Sequence, residues 1–168
     1  MARKARGPHA RFSVAPAVRQ AFRDVRPQLL IHCAALSKTQ VCQQHPDLAR
    51  KINVEATALL TELASEIPFI FFSSDLVFDG RTGNYDESAS VNPLSLYAET
   101  KVEAERLVLA NPKHMVLRVA LNGGISPTGD RGFNEEIRRA WQAGLTLTLF
   151  TDEFRSPLPA IVTAQAVW

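Results

Sequence analysis

Apolar residues along this chain change their spacing in a regular order. From Ala15 they fall at Val18, Ala21, Phe22 and Val25, the three-and-four spacing of one helix face. Arg26 and Pro27 stop that pattern, because the residue before a proline is steered away from helical backbone. Leu29, Leu30 and Ile31, then Cys33, Ala34 and Ala35, form an apolar run broken only by His32, which predicts a short strand buried on both faces. Residues 47–66 return to helical spacing through Ile52, Val54, Ala56, Leu59, Leu60, Leu63 and Ala64, with Pro46 at the start. Residues 69–72 predict a second buried strand that ends at Ser73 and Ser74. A loop rich in Asp, Gly, Asn, Ser and Pro follows, over residues 79–95. A helix over residues 96–110, a strand over 115–119, a glycine-rich loop, a helix over 133–143 and an alternating, half-buried strand over 145–150 complete the pattern.

Helices and strands in alternation predict an α/β domain with a parallel sheet and right-handed crossovers. Ligands of such sheets sit at the carboxyl ends of the strands. Two segments fall there: Cys33-Ala34-Ala35 and Ser73-Ser74-Asp75. Residues 1–12 lack an apolar period and read as a flexible basic arm, leaving 13–168 as one domain.

Charge sharpens that division. The net charge is +2, and Arg3, Lys4, Arg6 and Arg11 account for more than all of it, so the remainder is mildly acidic. It lacks the broad basic surface that nucleic acid requires, and no nucleic-acid partner is expected. Two cysteines are too few for a disulfide scaffold and suit a reducing compartment. No apolar run reaches the length of a membrane span, and no apolar segment follows the basic start, so a cytoplasmic protein is expected.

The candidate chemistry is Tyr97, Lys101 and Ser74. Tyr97 and Lys101 are one turn apart on a predicted helix and share a face. An ammonium beside a phenol favours the phenolate and lowers its pKa from about 10, which makes the tyrosine a usable proton donor. Ser74, at the end of a strand, could bond the same substrate oxygen. Such a pair also arises by chance on many helices; its weight comes from its surroundings. Cys42 and His45 have a ligand-like spacing, but His32 and Cys33 are neighbours on a predicted strand and point to opposite faces, so no metal site is expected. Glu99, Glu103 and Glu105 read as a solvated helix face, with Lys101 to Glu105 as an i,i+4 pair.

Those surroundings resemble a known family. The run Phe72-Ser73-Ser74-Asp75-Leu76-Val77-Phe78-Asp79-Gly80 resembles the strand-end signature of extended short-chain dehydrogenases/reductases of the dTDP-4-dehydrorhamnose reductase (sugar nucleotide-binding) type. Asn92-Pro93-Leu94-Ser95-Leu96-Tyr97-Ala98-Glu99-Thr100-Lys101 is similar to that family's YxxxK helix with its lead-in. Ile31-His32-Cys33-Ala34-Ala35 resembles the strand ending beside the dinucleotide, and Lys51-Ile52-Asn53-Val54 the helix carrying a structural Asn. Leu117-Arg118 followed by Asn122-Gly123 looks like the segment passing the nicotinamide, and residues 152–157 like a later substrate-side segment.

The resemblance implies a Rossmann-like three-layer sandwich and NADPH- or NADH-dependent reduction of a keto group on a nucleotide-linked sugar. Tyr97 would protonate the forming alkoxide. Lys101 would tune Tyr97 and bind the nicotinamide ribose, and Ser74 would orient the carbonyl. Cys33, Ala34, Ala35 and Asn122 would line the cofactor, while Asp75 and Arg155 would face the substrate. A homodimer is compatible with this reading. Other functions with a related fold are a nucleotide-sugar epimerase or dehydratase and a non-catalytic regulatory subunit similar to the methionine adenosyltransferase beta subunit. The sequence departs from the family pattern in having no GxxGxxG or GxGxxG turn for the pyrophosphate. A chain that enters the fold after its second strand and stops short of the full substrate region is therefore expected, with an uncovered sheet edge.

Overall fold

The computed structural model describes residues 15–126, 128–129 and 132–168; the predicted basic arm lies outside them. The described residues form two compact units. One holds those up to Asp79 together with Asn84–Leu117, and the other holds Gly80–Gly83 with Arg118–Trp168. The architecture is the expected α/β one, a parallel sheet with helices on both sides.

In the first unit, α1 (Ala15–Val25) ends as predicted, with Arg26 in the left-handed region at φ 47°. β1 (Leu30–His32) and β2 (Phe69–Ser74) pair in parallel, with Leu30 opposite Phe69, Ile31 opposite Ile70 and His32 opposite Phe71. β3 (His114–Val119) flanks β2 on the other side. Between β1 and β2 the chain forms α2 (Thr39–Gln44), α3 (Pro46–Arg50), a π-helical turn (Lys51–Glu55) and α4 (Ala56–Leu63). After β2 come a 3-10 turn (Asp75–Val77) and α5 (Leu96–Leu109). Phe69 and Phe71 of β2 meet Ala104 and Val108 of α5 and Ala64 behind α4 in one buried cluster, with Phe22, Leu30, Leu60, Ile67 and Val116 packed around it. Burying one such phenylalanine contributes about 1.5–3 kcal/mol. Arg19 of α1 ties to Glu62 of α4 through two bonds of 2.8 and 2.7 Å.

The second unit contains β4 (Asn122–Gly123), α6 (Phe133–Gln142), β5 (Leu158–Pro159) and α7 (Ala160–Val167). β4 and β5 pair in parallel. The buried carboxylate of Glu135 accepts the Ser126 and Gly132 N–H groups at 2.7 and 2.8 Å, which fixes the loop entering α6.

Four expectations need correction. The first strand stops at His32, and Cys33–Ala35 is irregular and partly exposed; just beyond it the N–H and carbonyl of Leu36 bond a side chain, Asn53, instead of a strand. The helix expected over 47–66 is interrupted by the π turn and ends at Leu63, where Ala64 leaves helical geometry at ψ 14°. Residues 145–150 form no strand: Leu145, Leu149 and Phe150 are 65%, 67% and 78% exposed, and an alternating pattern without a partner strand cannot complete its backbone bonds. Glu105 is not on a solvated face but buried at 3% exposure. The short elements α2, β4, β5 and α7 were not anticipated.

Candidate active site

The three expected catalytic residues all lie in the first unit. α5 is buried on most of its circumference, with Tyr97, Ala98, Thr100, Lys101, Val102, Ala104, Glu105 and Val108 inside. A helix so enclosed brings polar as well as apolar side chains into the interior. Ser95 starts it, its hydroxyl accepting the Ala98 N–H at 3.3 Å, the ordinary role of serine at that position. Tyr97 therefore sits in the first turn, where its ring packs with Cys42 and Ala49 and against Leu36, Leu76 and Leu96.

Lys101 follows one turn later and is only 2% exposed. Its Nζ donates to the Phe72 carbonyl at 2.6 Å and lies 3.9 Å from the centroid of the Phe71 ring. Burial lowers its pKa from 10.5 to about 8, while Glu105 and Cys33 pull it upward. The carbonyl and the ring face are what make a buried ammonium tolerable here.

Ser74 ends β2 and opens the 3-10 turn. Its Oγ accepts the Leu76 N–H and donates to Asp75 Oδ1, both at 3.2 Å. The hydroxyl is held locally, and to meet a substrate oxygen it must give up its bond to Asp75. Lys101 thus reaches β2 two residues before Ser74, and Leu76, two residues after it, packs in the Tyr97 cluster.

At the end of β1, Asn53 is the organising residue. Its amide accepts the Leu36 N–H at 2.8 Å and donates to the Leu36 carbonyl at 3.1 Å and to Thr100 Oγ1 at 2.9 Å. Thr100 in turn donates to the Tyr97 carbonyl at 2.7 Å. One side chain thereby joins the loop after β1, the π turn and the first part of α5. The π turn turns both Ile52 and Asn53 inward, the kind of placement such turns serve at functional sites. The sequence flagged Asn53 through resemblance only; its bonds run across 17 and 47 residues.

Cys33 and Ala34 are exposed and Ala35 is half-buried, so this loop offers small side chains and open backbone at the strand end. Burial pushes the Cys33 thiol up, against the pull of Lys101. Such a face, beside an ammonium, fits the ribose and nicotinamide end of a dinucleotide. Among the described residues, the first glycine is Gly80, so no glycine lies near this strand end.

Two polar groups here had no signal in the sequence. His32 Nε2 and Ser73 Oγ are buried without a hydrogen-bond partner. His32 stacks on Phe69 at 6.1 Å and meets Phe71 at 5.7 Å, and burial, helped by Lys101, lowers its pKa from 6.5 to about 4.

The remaining expected site residues belong to the second unit. Asn122 Oδ1 accepts the Thr163 hydroxyl at 2.7 Å, and Arg155 pairs with Glu153 at 3.1 Å. That unit has a pocket of about 390 Å³ bounded by Gly123, Gly124, Phe133, Asn134 and residues 157–159, none of them titratable. Among the described residues, no three His, Cys, Asp or Glu side chains converge as a metal site would require, and no helix is long and apolar enough to cross a membrane.

Known proteins resemble this chain in sequence and in fold. A family model described as the RmlD substrate binding domain matches residues 6–168. The beta subunit of methionine adenosyltransferase 2 from Danio rerio is 40% identical over 106 residues, which are 62% of this chain and 33% of that protein. A dTDP-4-dehydrorhamnose reductase from Clostridium acetobutylicum superposes with a TM-score of 0.82 at 30% identity, covering 91% of this chain and 55% of that one. A dTDP-4-dehydrorhamnose reductase from Bacillus anthracis, solved with NADP, gives 0.72 at 25% identity, covering 79% and 48%. The chain thus spans between a third and about half of the length of these proteins.

Proposed function

Because this chain belongs to the RmlD substrate binding domain family, we propose that it carries the proton-transfer part of an NAD(P)H-dependent reductase acting on a keto group of a nucleotide-linked sugar. The observation that carries this reading is Lys101, buried on α5 one helical turn from Tyr97, with its Nζ donating to the Phe72 carbonyl of β2 at 2.6 Å. The nicotinamide, when bound, supplies the hydride. As the carbonyl oxygen becomes an alkoxide, the Tyr97 hydroxyl gives it a proton, and the Lys101 ammonium stabilises the phenolate left behind. Ser74 turns its hydroxyl from Asp75 to the substrate oxygen and holds it in line. Ala34 and Ala35 let the cofactor lie against backbone; Lys101 holds its ribose. Asp75, beside Ser74, contacts the substrate. The reading is that of a cytoplasmic enzyme.

The test is Tyr97→Phe, followed by NADPH oxidation with a dTDP-linked keto sugar. The expected result is a loss of at least about 100-fold in kcat with cofactor binding unchanged. Equal turnover in wild type and variant would remove Tyr97 from the mechanism. A second reading rests on the 40% identity with the methionine adenosyltransferase 2 beta subunit: a regulatory subunit that acts by binding an enzyme. It predicts co-purification with that enzyme and an effect that survives Tyr97→Phe.

A further inference from the structure

Between Ser74 and the start of α5 the chain runs through residues 75–95, in which the regular features are the 3-10 turn at 75–77 and a turn closed by the Ala89 N–H on the Asp86 carbonyl at 3.2 Å. Structureless connections longer than about 12–15 residues are uncommon in compact domains, and this one joins two proposed reacting groups. The body of α5 is held independently, by Ala104 and Val108 in the core and by the bond from Lys101 to Phe72. Its first turn, which carries Tyr97, is packed against Cys42 and Ala49 and bonded through Thr100, and the direction in which the chain enters it is set by the loop.

The loop is ordered around one carboxylate. Asp79 Oδ1 accepts the Tyr85 hydroxyl at 2.7 Å, and Asp79 Oδ2 accepts Asn92 Nδ2 at 3.0 Å. The Tyr85 ring stacks on Phe78 with centroids 4.3 Å apart and planes 4° apart. The Asn92 backbone N–H donates to the Val77 carbonyl at 2.9 Å. Asp79 thus closes a six-residue and a thirteen-residue loop at once, and the longer one ends three residues before the Ser95 cap. Pro93, directly after Asn92, restricts the residue before it and so transmits the constraint along the chain.

We infer that Asp79 is a positioning residue: by gripping Tyr85 and Asn92 it sets where the first turn of α5, and with it Tyr97, stands relative to Ser74. The inference rests on the roles given to Ser74 and Tyr97 above. Asp79 touches neither substrate nor cofactor in this scheme; it acts through the loop.

The decisive experiment is a reciprocal exchange. Asn92→Asp sets a second carboxylate against Asp79, and the double variant Asp79→Asn/Asn92→Asp restores a donor and an acceptor in opposite order. Hydrogen exchange is read at the Ala98 and Glu99 amides, which bond Ser95, with residues 104–109 as the internal reference. The single variant should exchange about tenfold faster at Ala98 and Glu99 alone, and the double variant should return to within about twofold of wild type. In turnover, kcat should fall and recover in parallel while the KM for cofactor stays constant. Tyr85→Phe, which removes one hydroxyl, gives the same direction with about a threefold effect and serves if Asn92→Asp fails to fold. Unchanged exchange at Ala98 and Glu99, or a double variant no better than the single, overturns the inference. Exchange that shifts and recovers in a chain without reductase turnover sustains Asp79 as the organiser of this turn and sinks the reductase reading instead.

Discussion

Phe71 and Phe154 are the same side chain in opposite circumstances. Phe71 is 1% exposed, under the Lys101 ammonium and against His32; Phe154 is 90% exposed. The contrast extends to their units. The first encloses its sheet and α5 so fully that a lysine, a glutamate and two histidines are carried inside with the core. The second leaves Trp141, Phe150, Phe154 and Trp168 open to solvent, and its sheet consists of two strands of two residues each. Apolar content is similar in kind; what differs is whether elements long enough to bury it surround the residues. The lowered pKa values of Lys101 and His32 both belong to the enclosed unit, where the candidate chemistry lies.

The comparison can be broken at its strongest point by Phe71→Ala. Loss of a buried ring should cost about 3–5 kcal/mol in urea unfolding. A cost below about 1 kcal/mol would mean that the sheet core is not the stabilising centre. Next in size is a pH effect at His32. Its pKa is about 4 in the folded chain against 6.5 ordinarily, so between these values the unfolded chain binds more protons. The His32 contribution is fully present above pH 6.5 and is lost as pH falls towards 4, by roughly 3 kcal/mol in all. His32→Phe should flatten that decline, and an unaltered acid limb in thermal melts would locate it elsewhere. Lys101, also lowered, adds stability as pH rises from about 8 towards 10.5, by the same logic. The smallest effect belongs to the open unit: Phe150→Ser should change stability by no more than about 0.5 kcal/mol. A larger loss would show that this surface is covered in solution.

The sequence made the enclosed unit legible to different depths. β2 and α5 follow from strong patterns, a continuous apolar run and the Ser95-to-Lys101 motif, and both were placed to within a residue or two. The Asp79 grip was not legible, and neither was that of Glu135 in the other unit, since each joins a carboxylate to backbone or side chains whose approach depends on the folded loop. The unpaired Nε2 of His32 was equally hidden: its residue type is visible, its isolation is a property of packing. In the open unit, residues 145–150 show the converse. Their alternation is real, but period two describes a side-chain pattern and does not supply a neighbouring strand. The family resemblance named Ser74, Tyr97 and Lys101; the geometry adds that Ser74 is engaged with Asp75 and that Lys101 is held by a carbonyl and a ring.

The π turn at Lys51–Glu55 has a consequence for how this chain tolerates change in length. A turn with i→i+5 bonding holds one residue more than the α-helix on either side of it. Removing a single residue there would let the bonding revert to ordinary spacing without rotating α3 against α4, so the helix would close up unharmed. The inward pair Ile52 and Asn53 would shrink to one position, and where the residue removed is Asn53, Leu36 would lose both bonds to its amide. The same deletion in the middle of α5 would swing every later side chain through about 100° and scatter the core. The molecule therefore contains a place where one codon separates an intact fold from an intact site.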